Sequence, residues 1–362
     1  YYISNKFAKS KESEIYKAWA WGNYKYQSKS KKNLLYVKEQ KELEFLTFYS
    51  DCINFSRDLI NSPANKLNPS TYYSKIKNNN LFKSFNFIDY TEKEINSNFP
   101  LTCAVGKSSS SKPKVIEITN RKLSKKDKPL VIIGKGVTFD TGGVNIKPGT
   151  SMRNMKKDMG GSAIAISLFL LANYFLKKTK IVLIAPIAEN AISSKSMRPG
   201  DVYSSVSGKS VEIAHTDAEG RLLLADAIEK ASSYNPCMII DFATLTGAAR
   251  VALGEDLPAY FCNNETFAKK IENLNKEKLR CWRLPLYSPY LFKIKSQVAD
   301  LSNASLDGMA GSITAALFLQ EFLKSPNIPW FHFDTFAWSQ DSKGAALQGL
   351  DIMSDFLRKN FN

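Results

Sequence analysis

Seven short apolar runs set the terms on which this 362-residue chain folds. "FNFIDY", "KVIEIT", "PLVIIG", "KIVLIAPIA", "SVEIAH", "CMIIDFATL" and "WFHFDTF" are each of strand length, and several lack the in–out alternation of a sheet with one wet face. Between them lie segments with helical spacing, among them "GSAIAISLFLLANYFLKK", "EGRLLLADAIEKASSY", "SITAALFLQEFLKS" and "GLDIMSDFLRKN". Strands buried on both faces and separated by helices predict an α/β fold. Its central sheet is expected to be mixed and largely parallel, flanked by helices on both faces. Ligands of such folds collect beyond the carboxyl ends of the strands, which is where chemistry is sought.

Residues 1–40 are polar, aromatic and basic, and read as a short leading segment, the remnant of a truncated N-terminal domain. Residues 41–61 carry a helical apolar period that the Ser62-Pro63 turn ends, which makes a linking helix, and 62–362 form the large domain. With 44% hydrophobic residues there is ample material for a large core. Met159 to Leu176 carries no charge, the shortest length that spans a bilayer, but its Gly-Gly-Ser opening and Asn173 point to a central core helix and no membrane. Five cysteines without a CxxC pair argue against a disulfide framework or a zinc ribbon, and place the chain in a reducing cytoplasm. No apolar leader opens the chain. The formal charge of +16 could attract nucleic acid, yet the lysines are scattered and no recognisable nucleic-acid module is present.

Two segments carry the chemistry. In "HTDAEGRLLLADA", from His215, an extended backbone would point Asp217, Glu219 and Arg221 the same way. Two close carboxylates call for positive charge, from Arg221 or from a metal ion; otherwise Thr216 or Asp217 caps the helix that follows. The second segment, "IIGKGVTFDTGGVNIKPGTSMRNMKKDMGG", reads as a Gly-rich loop after a strand and holds Lys135, Asp140, Lys147 and Asp158. It matches neither GxGxxG nor GxxxxGK[ST], so phosphate cradling is disfavoured.

Together "GKGVTFDTGG", "KKDMGG" and "TDAEGRLLLADA" resemble the leucine aminopeptidase, or cytosol aminopeptidase, family of dinuclear metallopeptidases. The resemblance runs from about Ser62 to the C-terminus and includes "GDV", "DFATLTGA" and "GMAGSITAALFLQEF". It implies a metal-dependent aminopeptidase that releases N-terminal, Leu-like residues from peptides. Asp140 and Glu219 would bridge two divalent ions, with Lys135 and Asp158 completing one site and Asp217 the other. Hard oxygen donors suit Mn²⁺, Zn²⁺ or Mg²⁺, and Lys135 can ligate only as the neutral amine. The resemblance further implies that Lys147 stabilises the oxyanion, that Arg221 holds a bicarbonate acting as general base, and that the chain forms a homohexamer. Met155, Thr244 and Gly247 would line the pocket for the first side chain. His215 stands beside the substrate where the family usually has Asn, and Phe336 and Trp338 make the pocket bulkier. Two alternatives are a basic nucleic-acid-binding regulator on the same fold and a two-metal phosphoryl-transfer enzyme.

Overall fold

The computed structural model describes residues 9–27, 35, 37–340 and 344–361, with the backbone alone for 9–13. Its strands, in chain order, are β1 (Asn86–Ile88), β2 (Lys114–Thr119), β3 (Leu130–Gly134), β4 (Gly136–Asp140), β5 (Ile181–Asn190), β6 (Val202–Ser204), β7 (Ser210–Glu212), β8 (Met238–Ala243), β9 (Ala259–Cys262), β10 (Trp282–Arg283), β11 (Leu301–Ser302) and β12 (Trp330–Asp334). Nine of them form one sheet in the order β1-β2-β5-β3-β8-β12-β9-β10, with β4 beside β5. The middle of the sheet, β5 to β3 to β8 to β12, is parallel, while β1 on β2, β2 on β5 and β9 on β12 are antiparallel. The mixed, largely parallel α/β sheet is as the apolar runs require. Strands β6, β7 and β11 make a separate small sheet.

The uniform apolarity of the central strands follows from two cores. In β3, Leu130 and Ile132 enter one core and Val131 and Ile133 the other, all fully buried. The helix Gly160–Phe175 covers the first face. It is apolar all round because it lies between the sheet and two further helices, Gln40–Asn61 and Leu350–Asn360. Among the described residues, the helical stretch Met155–Phe175 is the only one long and apolar enough to cross a membrane, and it is packed in this core. The helices Gly220–Ser233 and Gly311–Gln320 cover the opposite face.

One local expectation is corrected. The stretch after β3 is not a Gly-rich loop throughout: Gly136–Asp140 is strand β4, paired in parallel with Ile187 to Asn190 of β5, with an irregularity between Val137 and Asp140. Both β3 and β4 lean on β5, so they form one line of strand interrupted at Lys135. At that break the Lys135 N–H donates to the Phe242 carbonyl (3.0 Å), and its own carbonyl accepts from Ser162 N (2.8 Å). The interruption frees the Lys135 side chain from the pleat's alternation.

Candidate metal centre and cavity

The acidic and basic residues singled out above converge at the carboxyl ends of β3, β4, β8 and β12. Lys135 Nζ, 2% exposed as a residue, lies 2.8 Å from Asp158 Oδ2 and 2.9 Å from Glu219 Oε1, and donates to the Thr244 carbonyl at 2.9 Å. Asp140 closes β4. Its Oδ1 accepts from Gly142 N (2.9 Å) and Asn190 Nδ2 (2.8 Å), and its Oδ2 pairs with Lys147 Nζ at 2.9 Å. Lys147 also pairs with Asp217. Asp158 sits in the 3-10 turn Met155–Met159, where Thr244 Oγ1 donates to its Oδ1 at 2.7 Å.

Two loops are laced together to hold this arrangement. Asn145 N donates to Thr216 Oγ1 (2.8 Å), Thr216 N donates to Asn145 Oδ1 (2.9 Å), and Thr216 Oγ1 donates to the Gly142 carbonyl (2.6 Å). Gly142 takes φ +86°, where a side chain would be strained and its Cβ would stand 3.0 Å from Asp217 Oδ1.

The opening geometry differs from the extended one expected. Asp217 lies in a turn, Glu219 is already helical at φ −73° and ψ −33°, and Arg221 belongs to the first turn of Gly220–Ser233. Asp217 and Glu219 therefore converge because the chain turns, not because it alternates. Neither Thr216 nor Asp217 caps that helix, whose N-cap is Glu219 without a side-chain cap bond, and the N-cap of Gly160–Phe175 is Met159 rather than Asp158.

Asp140, Asp217 and Glu219 each bring one oxygen within 4.8 Å of the others. Asp158 Oδ2, Asp217 Oδ1 and Glu219 Oε1 touch ammonium groups without hydrogen-bond alignment, and among the described residues buried Glu219 Oε2 has no partner at all. Burial, and then the neighbouring Asp140 charge, push the Asp217 carboxyl up to about 6 and Glu219 well above the usual carboxylate range. Carboxylates this crowded and under-coordinated are short of positive charge, and divalent ions fit that deficit. Burial disfavours the Lys135 and Lys147 ammoniums, yet the surrounding carboxylates, led by Asp158 for Lys135 and Asp140 for Lys147, hold both above the usual lysine range. Buried Arg221 is pushed down to about 10 by desolvation, and its Nε and Nη1 have no partner among the described residues. Those unpaired donors fit a small anion.

A cavity of about 280 Å³ opens on this cluster. Lys135, Asp140, Lys147, Asp158 and Asp217 line it, together with Met155, Lys157, Thr244, Gly247 and Phe336. Glu219, Arg221, His215 and Trp338 are not among its lining residues. His215 is exposed beside the site, where its Nδ1 accepts from Asp217 N at 3.2 Å. Burial, with Lys147 next, holds its imidazole below the usual histidine range.

Three features were missed in the sequence. Asp334, at the end of β12, accepts from Leu245 N (3.2 Å), Thr246 N (3.1 Å), Thr246 Oγ1 (2.6 Å) and Ser312 Oγ (3.1 Å), and so fixes the loop after β8 that lines the cavity. An acid at the end of a buried strand was its signal. Lys157 is 5% exposed and faces the Phe336 ring at 4.5 Å, and burial pushes its ammonium down to about 8. It lay inside "KKDMGG", masked by the acid next to it. Arg250, exposed at the rim, lies 4.7 Å from the same Phe336 ring.

A carboxylate and lysine cluster at the carboxyl ends of parallel strands, facing a cleft, defines an α/β protein with a candidate metal centre. The chain belongs to the cytosol aminopeptidase family, whose catalytic-domain model matches residues 54–353. It is 37% identical to a probable cytosol aminopeptidase of Syntrophotalea carbinolica over 298 residues, 82% of this chain and 59% of that relative. Against the cytosol aminopeptidase of Encephalitozoon cuniculi it is 41% identical over 288 residues, 78% of this chain and 58% of the relative. The chain thus spans under three-fifths of the length of these curated relatives. The crystal structure of the Coxiella burnetii cytosol aminopeptidase superposes with a TM-score of 0.87 at 38% identity, covering 97% of this chain and 78% of that one. The bottromycin maturation enzyme BotP in complex with Mn gives 0.86 at 28% identity, covering 97% and 79%.

Proposed function

We propose that this chain is the catalytic part of a metal-dependent aminopeptidase that hydrolyses the first peptide bond of peptides. The observation that carries the reading is the convergence of Asp140, Asp217 and Glu219 within 4.8 Å, beside Lys135 and Asp158 and open to a cavity of about 280 Å³. Lys135, Asp140, Asp158, Asp217 and Glu219 would hold two divalent ions, Mn²⁺, Zn²⁺ or Mg²⁺, which would supply Lewis acidity and a water of lowered pKa. Lys135 would ligate only as the neutral amine, so its ammonium, now paired with Asp158 and Glu219, would have to lose its proton, and the divalent charge would replace it as the partner of those carboxylates.

The chain's own residues do the rest. Lys147, held protonated on the cavity wall by Asp140 and Asp217, donates to the carbonyl oxygen as negative charge develops there. Its ion pairs pre-orient it, so little reorganisation accompanies the reaction. Arg221, through its unpaired Nε and Nη1, would hold a bicarbonate that would supply a general base. Asp334 and Thr246 keep the loop of Thr244 and Gly247 in place against the substrate. A homohexamer is part of the same reading, and sedimentation as a monomer at micromolar concentration would overturn that part. Five free cysteines agree with a reducing, cytoplasmic setting. No observation favours the nucleic-acid alternative.

The test is hydrolysis of a panel of aminoacyl-anilides by purified protein with Mn²⁺, Zn²⁺ or chelator, paired with metal analysis. Chelator-sensitive cleavage with about two metals per chain supports the reading. Folded protein that binds metal and cleaves no aminoacyl substrate refutes it.

A further inference from the structure

The wall of the cavity beside the carboxylate cluster is not the wholly apolar surface that a Leu-like first residue would want. Lys157 lies on that wall, 5% exposed, and among the described residues neither a hydrogen bond nor an ion pair reaches its Nζ. The face of Phe336 lies 4.5 Å from Nζ to the ring centroid, an attraction too weak to replace the hydration that a buried ammonium loses. Nearby acids are committed elsewhere. Asp158 serves Lys135 and Thr244, and all four of Asp334's hydrogen bonds go to Leu245, Thr246 and Ser312. Glu255 lines the same cavity, yet pairs with neither Lys157 nor Arg250 within 4.0 Å. Arg250 stands 4.7 Å from the same ring and adds positive potential from the rim.

With the scissile bond at the carboxylate cluster, the residue before that bond occupies the rest of the same cavity, which Lys157 and Phe336 also line. Met155 and Thr244 line that space, and Gly247 leaves it open, with nothing within 4 Å of a Cβ built there. We propose that Lys157 is a specificity-determining residue that accepts a carboxylate, so that the chain prefers an acidic N-terminal residue, aspartate or glutamate. The inference rests on the aminopeptidase reading above. A substrate carboxylate would give Lys157 the anion it lacks, in a site shielded from water, whereas the matching amide would leave the ammonium uncompensated. An aliphatic side chain would leave it equally unpaired.

The experiment compares Glu- with Gln-anilide and Asp- with Asn-anilide at pH 7, on the metal-loaded chain and its Lys157→Met and Lys157→Arg variants. At least one acid is expected to exceed its amide about tenfold or more in kcat/KM. That ratio should fall toward one in Lys157→Met and recover in Lys157→Arg, a pattern that a merely structural lysine would not produce. Calorimetric binding of free L-glutamate and L-glutamine gives a readout without turnover, with glutamate expected to bind several-fold more tightly. It decides the matter with the wild-type ratio should Lys157→Met fail to fold. Cleavage of acid and amide at equal rates, or a ratio indifferent to Lys157→Met, overturns the inference and leaves the aminopeptidase reading standing. Absence of cleavage of every aminoacyl substrate overturns both.

Discussion

Gly220 is packed against Lys135 so closely that a Cβ there would stand 2.4 Å from Lys135 Cε and 2.6 Å from its Nζ. The first residue of the helix Gly220–Ser233 therefore has to be glycine for the lysine to reach Asp158 and Glu219. In Gly220→Ala the lysine is displaced from the cluster while the helix, which favours Ala, persists. Metal affinity and activity are expected to fall at least tenfold with the circular dichroism spectrum unchanged. Metal titration alongside kcat checks it, and wild-type metal affinity in this variant would refute the role of the contact.

Asp217→Ala and Glu219→Ala are expected to abolish activity and to lower the metal content below two per chain. The folded state should survive, because burial and the Asp140 charge already make both carboxylates costly to ionise. Removing Asp217 is expected to leave the metal-free unfolding midpoint unchanged or higher. An active variant of either kind would sink the ligand assignment.

Lys147→Ala removes an ammonium that Asp140 and Asp217 hold on the cavity wall. A lost oxyanion donor is worth about 2–4 kcal/mol of transition-state stabilisation, which should show mainly in kcat. An unchanged kcat would exclude this role.

Arg221 is 7% exposed with unpaired Nε and Nη1, so added bicarbonate is expected to raise the wild-type rate. Arg221→Met should be slower and indifferent to bicarbonate. Equal stimulation of both proteins would remove Arg221 from the proposed general-base arrangement.

Far from the cavity, buried Asp226 accepts from Thr102 N (2.7 Å), Thr102 Oγ1 (2.8 Å) and Leu101 N (3.4 Å), and burial pushes its carboxyl up to about 8. A folded pKa above the unfolded value means that its stabilisation is fully present below about 4 and is lost as pH rises through 8. Asp226→Asn mimics the protonated acid. Its stability relative to wild type should grow by about 1.4 kcal/mol per pH unit between pH 5 and 8, then level off. Denaturant unfolding at four pH values measures this, and a difference independent of pH would contradict it.

Much was legible because it depends on local chemistry. The long apolar runs of β3, β5 and β8 announce strands covered on both faces, since water at either face would have demanded alternation. The acids and lysines of the cluster stand in two compact motifs, and the fold brings those motifs together at the carboxyl ends of the central strands. Strand β4 was read as loop because its glycines obscured a pairing that exists only once β5 lies beside it.

Hydrophobic period determined the class of fold, and the motifs carried the resemblance to the family and named the candidate residues of the centre, because period and motif order are properties of the chain itself. The tertiary structure decided that Asp217 and Glu219 meet through a turn rather than an extended face, that Asp334 fastens the loop after β8, and that Lys157 is buried on the cavity wall without an anion. No spacing rule encodes these facts, since each depends on which segments, distant in sequence, pack against one another and exclude water.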